Sequence, residues 1–201
     1  MRPFYRFMRF VCQVVFLAAF RLRTYGRENV PARGGVLLVC NHQSFLDPML
    51  VTLALKREGN YMARDTLFAN PLFRKLITTL NAFPVKRGTA DVGAIKEIIR
   101  RLRDGKLVVV FPEATRTYDG SIAPFQEGAL LVAKRAACAI VPTLIDGAFR
   151  CWPRRARFPR PGKIRVRYGQ AIPAEVIART EIGALNALIR EALRVEGGVV
   201  S

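Results

Sequence analysis

Short apolar runs alternate with amphipathic stretches along this chain, and that alternation limits the folds open to it more than any other feature. Apolar runs of strand length lie at 35–40, 82–85, 107–111, 139–145 and 163–168. Stretches with a helical spacing of apolar residues lie at 48–56, 71–80, 89–103, 127–136 and 181–195. Strands that alternate with helices are typical of α/β proteins. We therefore expect an α/β fold with a central, mostly parallel mixed sheet flanked by helices.

Length and cysteine usage narrow the class of protein further. A chain of 201 residues that is 51% apolar can bury one sizeable core but is short for two domains. The four cysteines are far apart and show no C-x-x-C spacing, so neither a zinc site nor a dithiol redox site is indicated. His42 is the only histidine, which excludes a site with several imidazole ligands. We expect no metal ion and no tightly bound cofactor.

The first 24 residues form a basic, aromatic segment. Arginines precede an apolar run at 11–20 that is too short to span a bilayer. Arg21 and Arg23 stand where a signal peptide would need small, neutral residues for cleavage. We expect residues 1–24 to form an amphipathic helix in the membrane interface, the alternative being a helix packed on the protein's own core. Residues 25–201 are expected to form a single domain.

The charge balance indicates an anionic partner. Lys and Arg number 33 against 15 Asp and Glu, which leaves a net charge of +18. Between Gly147 and Pro173 there are eight Arg or Lys residues, no acidic residue, and the aromatic side chains of Trp152 and Phe158. Arginine with tryptophan suits an anionic membrane surface, although nucleic acid attracts the same charges.

His42 and Asp47 follow the first apolar run and are separated by four residues. Pro48 favours the first position of a helix, which predicts that Asp47 is the N-cap with its carboxylate turned back towards the imidazole. A carboxylate that accepts a hydrogen bond from one imidazole nitrogen leaves the other nitrogen free to take a proton. The pair therefore predicts a general base, the alternative being a simple helix cap beside a histidine that the backbone satisfies.

Cations follow the second and third predicted strands. Lys86 and Arg87 come after the second, and Arg116 comes after the third. Open α/β sheets bind ligands at the carboxyl ends of their strands, so these residues are expected near His42. The two arginines could hold one phosphate and Lys86 could add a point charge. Glu113 could orient an arginine or accept a hydrogen bond from a substrate hydroxyl.

Four ordered blocks carry a resemblance to a known family. They lie at 42–47, at 83–88, at 111–116 with the sequence Phe-Pro-Glu-Ala-Thr-Arg, and at 140–145 with the sequence Ile-Val-Pro-Thr-Leu-Ile. In this order and spacing they resemble the glycerolipid acyltransferase family, and within it the bacterial 1-acyl-sn-glycerol-3-phosphate acyltransferases. The resemblance covers residues 25–168 and is far more specific than any single block.

The resemblance implies transfer of a fatty acyl group from an acyl-coenzyme A or acyl-carrier-protein thioester to the sn-2 hydroxyl of lysophosphatidate. The product would be phosphatidic acid, made at the cytoplasmic face of an anionic membrane by a peripheral or monotopic enzyme. Residues 25–201 would be the catalytic domain, with His42 as the base and Asp47 as the residue that orients it. The residues expected to bind the substrate phosphate are Arg87, Glu113 and Arg116, with Lys86 beside them. The residues expected on the acyl-donor side are Val141, Pro142 and Thr143.

Several alternatives stay open from the sequence alone. The acceptor could be another lysolipid, such as a lyso-ornithine lipid or a lysophospholipid with a larger headgroup. Cys40 could be a covalent nucleophile, but a free cysteine is usually packed, and we expect Cys40→Ala to keep most activity. A nucleic-acid-binding module would leave the residues at the strand ends unexplained, and no nucleic acid is expected as a partner. Finally, the third block has Ala114 where the family usually has glycine, so a left-handed backbone there would be strained.

Overall fold

Seven strands form one sheet in the computed structural model, which describes residues 2–86 and 91–198. The strands are β1 (Arg23–Tyr25), β2 (Val36–Cys40), β3 (Gly59–Arg64), β4 (Ala82–Val85), β5 (Leu107–Val110), β6 (Ala139–Asp146) and β7 (Arg165–Tyr168). Their order across the sheet is β1-β7-β6-β2-β5-β3-β4. Every neighbouring pair is parallel except β6 and β7, which are antiparallel. The predicted α/β fold with a mostly parallel mixed sheet is confirmed.

Helices cover both faces of the sheet. They are α1 (Pro3–Phe20), α2 (Asp47–Leu53), α3 (Pro71–Thr79), α4 (Val92–Arg103), α5 (Gly128–Ala136), α6 (Ala148–Cys151), α7 (Ala174–Arg179) and α8 (Ile182–Gly198). Short 3₁₀ turns lie at Arg27–Asn29 and Asp65–Phe68.

The central strand β2 shows how the sequence builds two cores. All five of its residues are buried, and alternate side chains point to opposite faces of the sheet. Leu38 and Cys40 pack with residues of α1 and α2, whereas Leu37 and Val39 pack with α4, α5, α7 and α8. Continuous apolar strands of this kind are typical of parallel sheets that are covered on both sides.

The predicted elements match the observed ones closely in the apolar parts of the chain. The strand predicted at 82–85 is β4 itself, and the other four predicted strands differ from β2, β5, β6 and β7 by one or two residues at an end. The helix predicted at 89–103 begins at Val92, where the Asp91 carboxylate accepts the backbone N–H of Ala94. Positions 89 and 90 lie outside the described residues.

Two strands and two short helices were not predicted. The first is β1, which includes Arg23 and Thr24. These two residues were expected in the helical segment over 1–24, but α1 ends at Phe20. The second is β3, whose sequence begins Gly-Asn and shows no apolar run. The missed helices, α6 and α7, have four and six residues, which is too few for a clear helical period.

Candidate active site

The ends of β2 and β5 bring two predicted blocks together. The two strands pair in parallel, so their carboxyl ends lie at the same edge of the sheet. His42 follows β2 and Glu113 follows β5. The backbone N–H of Thr117 donates to the carbonyl of His42 at 2.9 Å, which joins the two loops. The site therefore lies where open parallel sheets place their ligands.

His42 and Asp47 form the predicted pair. The distance from Nδ1 of His42 to Oδ2 of Asp47 is 2.8 Å. The imidazole stacks on the ring of Phe111, with 4.2 Å between the ring centroids, and only 8% of the residue is exposed. Since Nδ1 is bonded to the carboxylate, Nε2 is the nitrogen left to exchange a proton with a substrate.

The prediction that Asp47 is the N-cap of α2 is wrong in detail. The helix begins at Asp47 itself, after Leu46. Oδ2 of Asp47 instead accepts the backbone N–H groups of Gln43 and Ser44, at 2.6 and 2.7 Å, which precede it in the loop. The carboxylate thus shapes the loop that carries His42 and holds the imidazole at the same time.

Burial raises the pKa of Asp47, while its hydrogen bonds with His42, Ser44 and Gln43 lower it. Burial also raises the pKa of Glu113. A buried carboxylate is costly unless donors surround it, so the donors at Oδ2 of Asp47 are what keep an anion next to the imidazole.

Glu113 is bonded to the backbone on both sides of its carboxylate. Its Oε1 accepts the backbone N–H of His42 at 2.7 Å, and its Oε2 accepts that of Ala123 at 2.9 Å. The residue is 6% exposed. With both oxygens engaged by backbone amides, the geometry favours a positioning role for Glu113 and disfavours the predicted contact with a phosphate.

Of the cations predicted to bind a phosphate, Arg116 lies in the site and Lys86 lies at the edge of the sheet. Arg116 lines the same cavity as His42, and its Cζ lies 3.4 Å from the centroid of the Phe45 ring. Lys86 follows β4 at the edge of the sheet, where its backbone N–H donates to Asp91. Arg87 lies outside the described residues, so its role stays a prediction.

The three residues predicted on the acyl-donor side lie in the interior of β6. Val141, Pro142 and Thr143 are buried, and the Thr143 hydroxyl donates to the carbonyl of Val141. None of the three lines the cavity that holds His42. The structure gives them a packing role beside β2, because strand β6 runs through the middle of the sheet.

The largest element of the site was not predicted. An apolar cavity of about 760 Å³ extends from His42 and Arg116 between α1, α2, β3 and α3. Its wall includes Met8 of α1, Met49 of α2 and Tyr61 of β3. One side of α3 contributes Phe73, Leu76 and Ile77, and Leu80 follows directly after the helix. The apolar spacing in α3 was visible in the sequence, but the sequence did not show what that face covers.

The alternative of a Cys40 nucleophile can be judged on chemistry. Cys40 is fully buried in β2, and burial raises the pKa of its thiol well above the usual range, so a reactive thiolate is disfavoured. Within the described residues no three His, Cys, Asp or Glu side chains come together as metal ligands do.

Ala114 has the left-handed backbone that the sequence raised as a possibility, with φ of 58°. Alanine pays about 1–2 kcal/mol in this region, while glycine does not. The greater freedom of glycine in the unfolded chain offsets part of this gain. We therefore expect Ala114→Gly to stabilise the fold by only about 0.5–1 kcal/mol in urea titrations. The exposed alanine inside α8, Ala187, is the matched control, and Ala187→Gly should destabilise by about 1 kcal/mol. Destabilisation by both substitutions would show that the loop carries no strain.

Several known proteins are similar to this chain in sequence. The sequence model of the family described as Acyltransferase matches residues 21–146. The 1-acyl-sn-glycerol-3-phosphate acyltransferase of Bacillus subtilis is 29% identical over 144 residues, which are 71% of this chain and 71% of that protein. A probable 1-acyl-sn-glycerol-3-phosphate acyltransferase of Mycoplasma pneumoniae is 30% identical over 189 residues, 91% of this chain and 70% of that protein.

Longer relatives and a solved structure extend the comparison. A chloroplast 1-acyl-sn-glycerol-3-phosphate acyltransferase of Arabidopsis thaliana is 30% identical over 137 residues, but the match spans only 38% of its length. The crystal structure of the acyltransferase PlsC from Thermotoga maritima has the same fold, with a TM-score of 0.82 at 24% identity. That match covers 98% of this chain and 80% of the other.

Proposed function

We propose that this protein, which belongs to the acyltransferase family, acylates the sn-2 hydroxyl of 1-acyl-glycerol 3-phosphate. The acyl group would come from an acyl-coenzyme A or acyl-carrier-protein thioester, and the product would be phosphatidic acid. The observation that carries the proposal is the His42–Asp47 pair at the mouth of an apolar cavity that Arg116 also lines. The names of the curated bacterial relatives support the same substrate.

The geometry supports direct transfer from the donor to the acceptor. Nε2 of His42 takes the proton of the acceptor hydroxyl as that oxygen attacks the thioester carbonyl. Asp47 holds Nδ1–H of the ring and stabilises the imidazolium that forms. The tetrahedral intermediate then collapses, the C–S bond breaks, and the imidazolium returns its proton to the leaving thiolate. No covalent acyl-enzyme is needed, which suits the buried Cys40.

The cavity is suited to an acyl chain. Its wall is built from Leu, Met, Phe, Ile and Ala side chains of four different elements. Each methylene group that leaves water for such a wall contributes about 0.8 kcal/mol. A long acyl chain can therefore be held in the cavity while its reacting end stays beside His42.

The N-terminal helix α1 is compatible with membrane association. By length and composition it could cross a bilayer, because it begins at Pro3 and is longer than the apolar run at 11–20. One face of it is tied to the body of the protein: Arg9 and Gln13 donate to the carbonyls of Leu55 and Leu53. Its other face exposes large apolar side chains, namely Phe4, Phe7, Phe10, Val11, Val14, Val15 and Leu17.

A helix that is tied along one face and apolar along the other supports interfacial binding more than a membrane span. Our proposal is therefore a monotopic or peripheral enzyme on an anionic membrane at the cytoplasmic face. Since Met8 and Cys12 of α1 also line the cavity, the membrane would lie beside the space for the acyl chain.

Phe7 and Phe10 test this membrane contact. They are 62% and 63% exposed, so serine at both positions should change binding more than stability. Each phenylalanine that enters the lipid contributes about 1.5–3 kcal/mol, and we expect the double variant to bind vesicles of phosphatidylglycerol and phosphatidylethanolamine at least about tenfold more weakly in cosedimentation. The matched control replaces Val92 and Val176, exposed on α4 and α7, by serine and should bind as the wild type does. Equal binding by the two double variants would contradict an interfacial α1.

A thiol-release assay tests the reaction. The purified protein is incubated with palmitoyl-coenzyme A in neutral detergent micelles, with lysophosphatidate, with 1-monoacylglycerol or without an acceptor. We expect thiol release and phosphatidic acid only with lysophosphatidate. Release without an acceptor would indicate a thioesterase, and equal rates with monoacylglycerol would contradict selection of a phosphate. A parallel series with palmitoyl-acyl-carrier protein identifies the preferred donor.

A further inference from the structure

The basic loop that follows α6 is fixed against the loop that carries His42 and Asp47. The hydroxyl of Ser44 donates to the carbonyl of Trp152 at 2.9 Å. The Trp152 indole lies 5.2 Å from the Phe45 ring between centroids, and its Nε1–H donates to the carbonyl of Ala156. The start of this loop is therefore packed on the loop that carries His42 and Asp47.

Two contacts hold Arg154 against the segment that carries Arg116. Nη1 of Arg154 donates to the hydroxyl of Thr115, the residue before Arg116, at 2.6 Å. Its Cζ lies 4.8 Å from the centroid of the Tyr118 ring, which is a cation–π contact. No ion pair among the described residues involves Arg154, so its charge has no carboxylate beside it.

Asp119, the acidic residue in the segment that carries Thr115 and Tyr118, is occupied by other donors. Oδ1 of Asp119 accepts the hydroxyls of Thr117 and Ser121 and the backbone N–H of Ser121. Arg116 for its part is stacked on Phe45, which also contacts Trp152. Arg154 and Arg116 are thus both attached to the 115–118 segment that follows β5, each with its guanidinium against an aromatic ring.

We infer that Arg154, together with Arg116, binds the phosphate monoester of the lysolipid acceptor and selects for it. The inference rests on the proposed function. A phosphate monoester carries close to two negative charges at neutral pH and has three acceptor oxygens, which suits two arginines better than one.

The number of atoms between the reacting atom and the phosphorus indicates that the two arginines bind the phosphate of the acceptor and not that of the donor. In lysophosphatidate only two carbons and one oxygen separate the reacting oxygen from the phosphorus. The phosphate must therefore lie close to His42, and the Thr115–Thr117 segment is bonded to His42 through the backbone N–H of Thr117. The nearest phosphate of the donor is a whole pantetheine arm away from its sulfur.

Steady-state kinetics of Arg154→Met and Arg154→Lys test the assignment. Neutral detergent micelles remove any effect of a charged membrane. Loss of charge-assisted hydrogen bonds should raise KM for lysophosphatidate about tenfold or more in Arg154→Met. The kcat value and KM for palmitoyl-coenzyme A should stay within about twofold, and Arg154→Lys should recover part of the loss.

Arg157→Met is the matched control. Arg157 lies in the same loop, carries the same charge and has its guanidinium over the ring of Phe158. We expect its kinetics to equal those of the wild type. An Arg154→Met variant that matches Arg157→Met, or one whose KM rises for the donor instead, would overturn the assignment.

The proposed function and this inference can fail separately. A wild-type protein that does not acylate lysophosphatidate refutes the function. The arginine pair is then tested by calorimetric titration of the wild type and Arg154→Met with glycerol 3-phosphate. Weaker binding by the variant supports the anion site, and equal affinity overturns it.

Discussion

Replacement of His42 by alanine is expected to lower kcat for acylation of lysophosphatidate by about a thousandfold, the middle of the range that general bases contribute. No second imidazole exists in the chain to take over the proton. The loop around the site should persist, because the contacts of Asp47 with Gln43 and Ser44 and of Glu113 with the backbone do not need the ring. Thiol release in saturating substrates measures the loss, and circular dichroism checks the fold.

Cys40→Ala is the control that separates the two mechanisms. Cys40 lies two residues before His42, and its thiol is buried with a pKa well above the usual range. Direct transfer predicts that this variant keeps most of the wild-type kcat. A folded Cys40→Ala protein without activity would indicate an acyl-enzyme, and a His42→Ala protein with more than a tenth of the wild-type rate would remove His42 from the role of base.

The structure could be predicted from the sequence where a strand or a short segment adopts its conformation through its own residues. The strands β2, β5 and β6 are short apolar runs whose burial on both faces leaves a clear pattern. The His42–Asp47 contact needs only a turn between residues five apart, and that turn was predicted. By contrast β3 is polar at its start and is a strand because β5 and β4 pair with it on either side. Its identity is a property of the sheet and not of its own sequence.

The site could be predicted only in part for the same reason. The cavity is assembled from α1, α2, β3 and α3, which are distant in sequence, and no single one of them reveals a shared space. The role of Glu113 likewise depends on the backbone of His42 and Ala123, contacts that a side-chain pattern does not show. Arg154 belongs to a run of basic residues that could bind many anions, and only its hydrogen bond to Thr115, the residue before Arg116, connects it with the site.

Replacement of Asp47 by asparagine should separate the charge of this residue from its hydrogen bonds. The oxygen of asparagine can still accept the backbone N–H groups of Gln43 and Ser44, so the loop should keep its shape. What is lost is the negative charge that stabilises the His42 imidazolium, and we expect kcat to fall by about 10²–10⁴, with KM for lysophosphatidate changed only a fewfold.

The same substitution should also reduce stability to a limited extent. Oδ1 of Asp47 is buried without a hydrogen-bond partner among the described residues, so the amide group of asparagine would place an unsatisfied donor there. That costs about 1–3 kcal/mol in urea titrations. Ser44→Ala is the comparison within the same loop, because it removes the hydroxyl bond to Trp152 and leaves the Asp47 carboxylate intact. If Asp47→Asn and Ser44→Ala lose similar stability and similar activity, Asp47 acts only by shaping the loop. If only Asp47→Asn loses kcat, its charge takes part in the reaction.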